Sequence, residues 1–246
     1  MRTSKSKILC FEQCRFRYKK ETIDRIKPKV TPAAFIKGCA VHTIFEEAFT
    51  DITISPQDIK DKTIAHPDYK KYKKIIENFF KFMDGLTTNG KFDVLPVYVE
   101  EKIHNKEVDV AGVIDLVLQE GNNLILLDYK TGKSHTRKDA IVGDDGELKV
   151  TIKMDSKYYF ELALYVYLFE QHFNREVTHY GIFFAEQDKL LVEKVDREEI
   201  TKALERVKKV TKEIQECIDN NYFAKTPSYL CKYCTTYQNG YCDGRE

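Results

Sequence analysis

The stretch Ala111-Gly-Val-Ile-Asp-Leu-Val-Leu-Gln-Glu-Gly-Asn-Asn-Leu-Ile-Leu-Leu-Asp-Tyr-Lys130 reads as two β-strands joined by a tight turn. Gly121-Asn122 suits a two-residue hairpin loop, because type I′ and II′ turns demand a positive φ that glycine accepts. Centring the turn there pairs Glu120 with Asn123, and counting outward pairs Asp115 with Asp128. Facing carboxylates repel, at up to about 1 kcal/mol on an exposed sheet face and more where they are buried. Both sit in apolar flanks, Gly-Val-Ile-Asp-Leu-Val-Leu and Leu-Ile-Leu-Leu-Asp, where an uncompensated charge is expensive. A divalent cation resolves the conflict. Strand alternation puts Lys130 on the same face as Asp128 and turns Tyr129 away.

Outward from this hairpin, 94–103 reads as a third strand beside 108–118 and 124–130. Upstream, Val41, Ile44, Phe45, Ala48 and Phe49 recur at helical spacing and predict a helix over 39–50. Tyr69, Tyr72, Ile75, Ile76, Phe79, Phe80 and Met83 predict another. Downstream, Tyr158 to Phe169 is helical, 177–186 and 190–195 are strands, and a long helix follows with Asp196 and Glu199 as a capping box. This order predicts an α/β fold, a central mixed sheet flanked by helices. Between Lys133 and Asp155 the chain carries an extra hairpin around Gly-Asp-Asp-Gly at 143–146, a lid or a neutral surface insertion.

The 246 residues, 42% apolar and 32% charged, fit a globular protein and exclude a disordered one. No apolar run reaches membrane-spanning length and the N-terminus lacks an apolar secretion signal, so an intracellular, cytoplasmic protein is expected. The net charge of +1 does not announce nucleic acid. Residues 1–20, however, hold seven Lys or Arg against the single acid Glu12, either a phosphate-binding patch or a solvated helix face. The seven cysteines point to reduced thiols or metal ligation. Cys231-Lys-Tyr-Cys234 with Cys242 is a ligand cluster short of one member; Cys-x-x-Cys alone suits zinc, a redox pair or nothing.

Hard oxygen ligands in this number suit Mg²⁺ or Mn²⁺, and Lys130 could orient or deprotonate a water or stabilise charge on phosphorus. Metal-assisted hydrolysis of a phosphodiester uses all of these parts.

Gly112-Val-Ile-Asp115 followed by Asp128-Tyr-Lys-Thr-Gly132 resembles the core of the PD-(D/E)XK nuclease superfamily. More narrowly, it is similar to the RecB-type domain, including the iron–sulfur members in AddB and in CRISPR spacer-acquisition nucleases. The resemblance implies a restriction-endonuclease-like core in one nuclease domain. Its helical N-terminal part would be 1–90, its core 91–220 and its Cys-rich tail 221–246. It implies that His42, in Gly38-Cys-Ala-Val-His42, binds metal with Asp115, Asp128 and the carbonyl of Tyr129, and that Lys130 is catalytic. The family's Gln-x-x-x-Tyr falls on Glu161-Leu-Ala-Leu-Tyr165, so Tyr165 matches and Glu161 departs. Glu100 is a weaker acidic candidate one strand earlier.

The same resemblance implies a [4Fe–4S] cluster on Cys14, Cys231, Cys234 and Cys242, tying together the two ends of the chain. Cys10 is the rival fourth ligand and zinc the alternative occupant; Cys39 and Cys217 read as packed thiols. The expected activity is a metal-dependent DNA nuclease, an exonuclease on single strands or duplex ends in recombination, replication or repair. The alternative is a non-catalytic, cluster-stapled DNA-binding or assembly module. No helicase motif occurs in these residues, so unwinding would fall to a partner, and the size suits a phage or mobile-element enzyme or a small subunit of a host complex.

Overall fold

The computed structural model describes residues 2–29, 31–51, 53–134, 136–142 and 148–244, with backbone alone over 136–142 and 148–152. The chain opens with α1 (Lys5–Gln13) and α2 (Arg15–Tyr18), which runs into a π-helical turn. Three helices follow: α3 (Ala33–Phe49), α4 (Pro56–Ile64) and α5 (Tyr69–Asp84). A small ribbon, β1 (Thr87–Thr88) and β2 (Lys91–Phe92), leads to β3 (Leu95–Asn105), β4 (Val110–Glu120) and β5 (Asn123–Lys130). Next come β6 (Thr136–Val142), β7 (Leu148–Met154), α6 (Ser156–Phe173), β8 (His179–Phe184), β9 (Lys189–Lys194) and α7 (Arg197–Asp219). A 3₁₀ turn (Tyr229–Tyr233) and α8 (Thr235–Gln238) close the described chain.

The central sheet has the order β3-β4-β5-β8-β9. It is mixed: β5 and β8 run parallel and the other neighbours antiparallel. Helices flank both faces, as an α/β restriction-endonuclease-like fold requires. One face packs on α1, α6 and α7 through Leu124, Leu126, Tyr180, Ile182 and Phe184. The other packs on α3, α4 and α5 through Leu118, Leu127, Tyr129 and Phe183. There Phe45 stacks on Phe79 at 3.9 Å and meets the Tyr129 ring edge-on at 5.1 Å. Each such buried ring contributes roughly 1.5–3 kcal/mol and holds α3 rigidly against β5.

The hairpin turn forms as read, with Gly121 at φ +56° and Glu120 paired with Asn123. The ladder then runs to Leu116–Leu127 and stops one step short of Asp115 and Asp128. Beyond that step β4 pairs with β3 and β5 with β8, so the two strands part into a fork.

Several expectations need correction. The helix expected over 39–50 starts at Ala33, because nothing in Ala33-Ala-Phe-Ile-Lys breaks it. Helix α4 is an unread element, announced by a capping box between Ser55 and Asp58 with Pro56 in its first turn. Asp196 does cap α7, but through the Glu198 N–H at 2.9 Å with no reciprocal bond from Glu199, which pairs with Lys202 instead. Cys39 is exposed on α3, unlike Cys217, which is buried as expected. Much of the N-terminal positive charge is internally paired: Arg15 with Glu213, Arg17 with Glu21, Lys20 with Asp24. The inserted segment is a hairpin of β6 and β7, as expected; its Gly-Asp-Asp-Gly tip at 143–146 lies outside the described residues.

Candidate active centre

The fork between β4 and β5 exposes backbone groups that the ladder would otherwise consume. One of them, the Tyr129 N–H, donates to Asp115 Oδ2 at 2.7 Å. Lys130's carbonyl accepts from Ala185 N–H on the β8 side, so the carbonyl of Tyr129, one residue earlier, faces the fork. Asp115 and Asp128 are only 6% and 4% exposed.

Beside Asp115 lies Glu100 of β3. The β3–β4 ladder pairs Val99 with Leu116 and Glu101 with Ile114, which brackets Glu100 and Asp115 as an unpaired row. Glu100 has φ +48°, a left-handed conformation inside a strand. Both strands shift phase at this row. Val99 packs on the α3 side and Ile103 on the α6 side, although residues four apart in a regular strand share a face. Leu116 and Ile114 part in the same way. The slip re-aims both acids toward His42, whose Nδ1 lies 3.1 Å from Glu100 Oε1 and 3.5 Å from Asp115 Oδ1. Such outliers cost about 1–3 kcal/mol and concentrate at functional sites.

The ligand atoms of His42, Glu100 and Asp115 lie within 4.8 Å of one another. A small octahedral cation with bonds near 2.1 Å spans about 4 Å between opposite ligands, so one imidazole and two carboxylates fit with slight closure. Burial works to lower the His42 pKa, but hydrogen bonds and charge from Asp115 and Glu100 outweigh it and push it up to about 10. A proton on His42 balances the charge of the two acids.

Asp128 meets a different cation. Its Oδ2 lies 2.7 Å from Lys130 Nζ, which is also 3.1 Å from Glu161 Oε2 on α6. Burial opposes the charge on Lys130, yet Asp128 and Glu161 raise its pKa above the ordinary lysine value. Burial foremost, then the Glu161 charge, drives Asp128 upward against the pull of Lys130. Glu161 is lowered, because Lys130 and Lys5 outweigh its own burial. Tyr165, one turn on, is held as a neutral phenol by burial and the surrounding acids. Its ring explains Gly112: a Cβ there would stand 2.9 Å from Tyr165 Cε1.

The model of the PD-(D/E)XK nuclease superfamily matches residues 2–238. The chain belongs to that superfamily. Two curated relatives are the ATP-dependent helicase/nuclease subunits A of Thermoanaerobacter sp. (strain X514) and Thermoanaerobacter pseudethanolicus. Each is 26% identical over 173 residues, 58% of this chain and 14% of the relative, so the chain spans a small part of those proteins. The crystal structure of a candidate exonuclease from Eubacterium rectale superposes with a TM-score of 0.57 at 14% identity. It covers 95% of this chain and 86% of that one, a likeness of fold.

Within this PD-(D/E)XK chain, then, the fork gathers His42, Asp115 and Glu100 on one side and Asp128, Lys130 and Glu161 on the other. Two residues were underread in the sequence. Glu100 carried only a weak signal, and Lys5, 156 positions from Glu161, carried none beyond the basic N-terminus.

The cysteines form a second locus. Cys14, Cys231, Cys234 and Cys242 line one cavity with Phe16, Arg17 and Tyr237. Cys10 is not among its walls; it stands on α1 with its thiol pushed up to about 11, chiefly by burial. Backbone N–H groups of Arg17, Ser228 and Gly244 donate to the sulfurs of Cys14, Cys231 and Cys242 at 3.5, 3.3 and 3.4 Å. Among the described residues no three of these sulfurs lie within 4.8 Å of one another. A single tetrahedral zinc with bonds near 2.3 Å would hold them about 3.8 Å apart. No helix among the described residues is long and apolar enough to cross a membrane.

Proposed function

We propose that this chain is a divalent-metal-dependent DNA nuclease, acting as an exonuclease on single strands or duplex ends in recombination, replication or repair inside the cell. The observation that carries the reading is the fork, where buried carboxylates Asp115 and Asp128 meet His42 on one side and Lys130 on the other. His42, Asp115, Glu100, Asp128 and the Tyr129 carbonyl would hold Mg²⁺ or Mn²⁺. When bound, the ion supplies Lewis acidity toward a phosphate oxygen and acidifies a water. Lys130, within reach of both Asp128 and Glu161, donates to the phosphate and stabilises the charge that develops there. Tyr165 offers a neutral donor beside it. Residues 1–246 would act as one nuclease unit. The helicase/nuclease relatives support a helicase as the partner that delivers DNA.

The cavity of Cys14, Cys231, Cys234 and Cys242 would hold a [4Fe–4S] cluster, with zinc as the alternative occupant of the same four thiolates. Anaerobically purified protein should be brown, with broad visible absorbance and bound iron that Cys14→Ser removes. A colourless protein with stoichiometric zinc would reverse this assignment.

The activity test uses end-labelled single- and double-stranded DNA with Mg²⁺ or Mn²⁺. Wild type should release products from an end, while Asp128→Ala and Lys130→Ala lose at least about a hundredfold in rate. Cleavage that persists in both variants would falsify the assigned centre. Intact DNA with either metal would leave the cluster-stapled binding module in its place.

A further inference from the structure

We propose that Lys5 is a positioning residue of the active centre, acting through Glu161 on Lys130; this rests on the nuclease reading above. Glu161 is 7% exposed, and its two oxygens are divided between two lysines. Oε1 takes Lys5, and Oε2 lies 3.1 Å from Lys130 Nζ. Lys130 in turn holds Asp128 at 2.7 Å. The chain Lys5–Glu161–Lys130–Asp128 thus alternates in sign, with two cations balancing two carboxylates.

Lys5 reaches that place because the chain start is sewn to the sheet. Thr3 N–H donates to the Asp109 carbonyl at 2.9 Å, and the Thr3 carbonyl accepts from Ala111 N–H at 3.0 Å. Thr3 therefore extends the start of β4 as a parallel bridge. Ser4 then caps α1 through the Lys7 N–H, and the fully buried Ile8 and Phe11 hold the helix down. Lys5 stands in the first turn between these two anchors, its side chain only 20% exposed.

Without Lys5, the full charge of Glu161 falls on Lys130. The ammonium is then spent on two carboxylates and is less free to meet a phosphate. The surplus negative charge also lies close to the carboxylates that would bind metal, which attracts a divalent cation. The two effects have opposite signs: slower turnover, tighter metal. Loss of a merely structural contact would weaken both. Replacing Glu161 by its neutral isostere removes the charge that Lys5 balances, so Lys5 should then matter little.

The experiment is a double-mutant cycle of Lys5→Met and Glu161→Gln. It is read as turnover on labelled DNA and as Mn²⁺ affinity of the metal-free protein by calorimetry without DNA. Lys5→Met should lower turnover about tenfold and tighten Mn²⁺ binding about threefold or more. In the Glu161→Gln background the same change should move neither by more than about twofold, and Lys5→Arg should retain wild-type values. Urea midpoints check the fold, and Lys5→Gln carries the cycle if Lys5→Met does not fold. Equal effects of Lys5→Met in both backgrounds, or weaker Mn²⁺ binding, would overturn the proposal. A wild type that cleaves no DNA overturns the nuclease reading alone, because the Mn²⁺ cycle still judges Lys5.

Discussion

Glu100 pairs a left-handed backbone with a place beside His42 and Asp115 in the proposed metal site, and replacing it separates the two. Compare Glu100→Gly with Glu100→Ala in metal-free protein. Both variants lose the carboxylate and its 3.1 Å contact with His42, so those losses cancel in the difference. What remains is the backbone. At an ordinary strand position alanine is more stable than glycine by roughly 0.5–1 kcal/mol, because glycine loses more conformational entropy on folding. At φ +48° an L-residue carries about 1–2 kcal/mol of steric strain that glycine escapes. The balance inverts, and Glu100→Gly should be the more stable variant by about 0.5–1 kcal/mol. With a urea m-value of about 2–3 kcal/mol/M the midpoints should differ by about 0.2–0.5 M, resolvable in parallel melts. Both variants should also bind Mn²⁺ at least about tenfold more weakly than wild type, having lost one ligand. An alanine variant as stable as the glycine one would refute the strained-row account, whatever happened to metal affinity.

The packing of Gly112 makes Gly112→Ala destabilising by about 1–3 kcal/mol, since the new methyl must displace the Tyr165 ring and Leu168 Cδ1 at 3.1 Å. Equilibrium unfolding measures this, and an unchanged midpoint would contradict the close approach. The His42 pKa of about 10 lies above the ordinary value of 6.5, so its pairing stabilises the metal-free protein fully below about pH 6.5. That contribution fades as pH rises through about 10, so melts across this range should show falling stability. Because metal must displace the same proton, binding at pH 7.5 should release about one proton per ion and strengthen with pH. Calorimetry in buffers of different ionisation enthalpy reads that number, and its absence in His42→Ala assigns it.

Local pattern carried a good deal of this architecture. The period-two alternation of β4 and β5 and the demand of Gly121 for positive φ made the hairpin and its register legible. Helical spacing located α5, α6 and α7, because one apolar stripe per helix is a local property. The motif residues at 112–115 and 128–132 were legible for the same reason: they are contiguous, and charge inside apolar strands is conspicuous.

Alternation left the partners open. The phase slip at Glu100 and Asp115 gives Asp115 to His42, while Asp128 takes Lys130. A slip of one residue has no signature in composition, since it is imposed by the partner strand and by the helices behind it. The sequence by itself determined the strands, the turn and which residue types were available for metal and phosphate chemistry, because these depend on neighbours in the chain. Only the tertiary structure decided which carboxylate meets which cation, as with Lys5 and Glu161, which are 156 positions apart. Buried charge is stable only beside its complement, and that complement is chosen by packing in space.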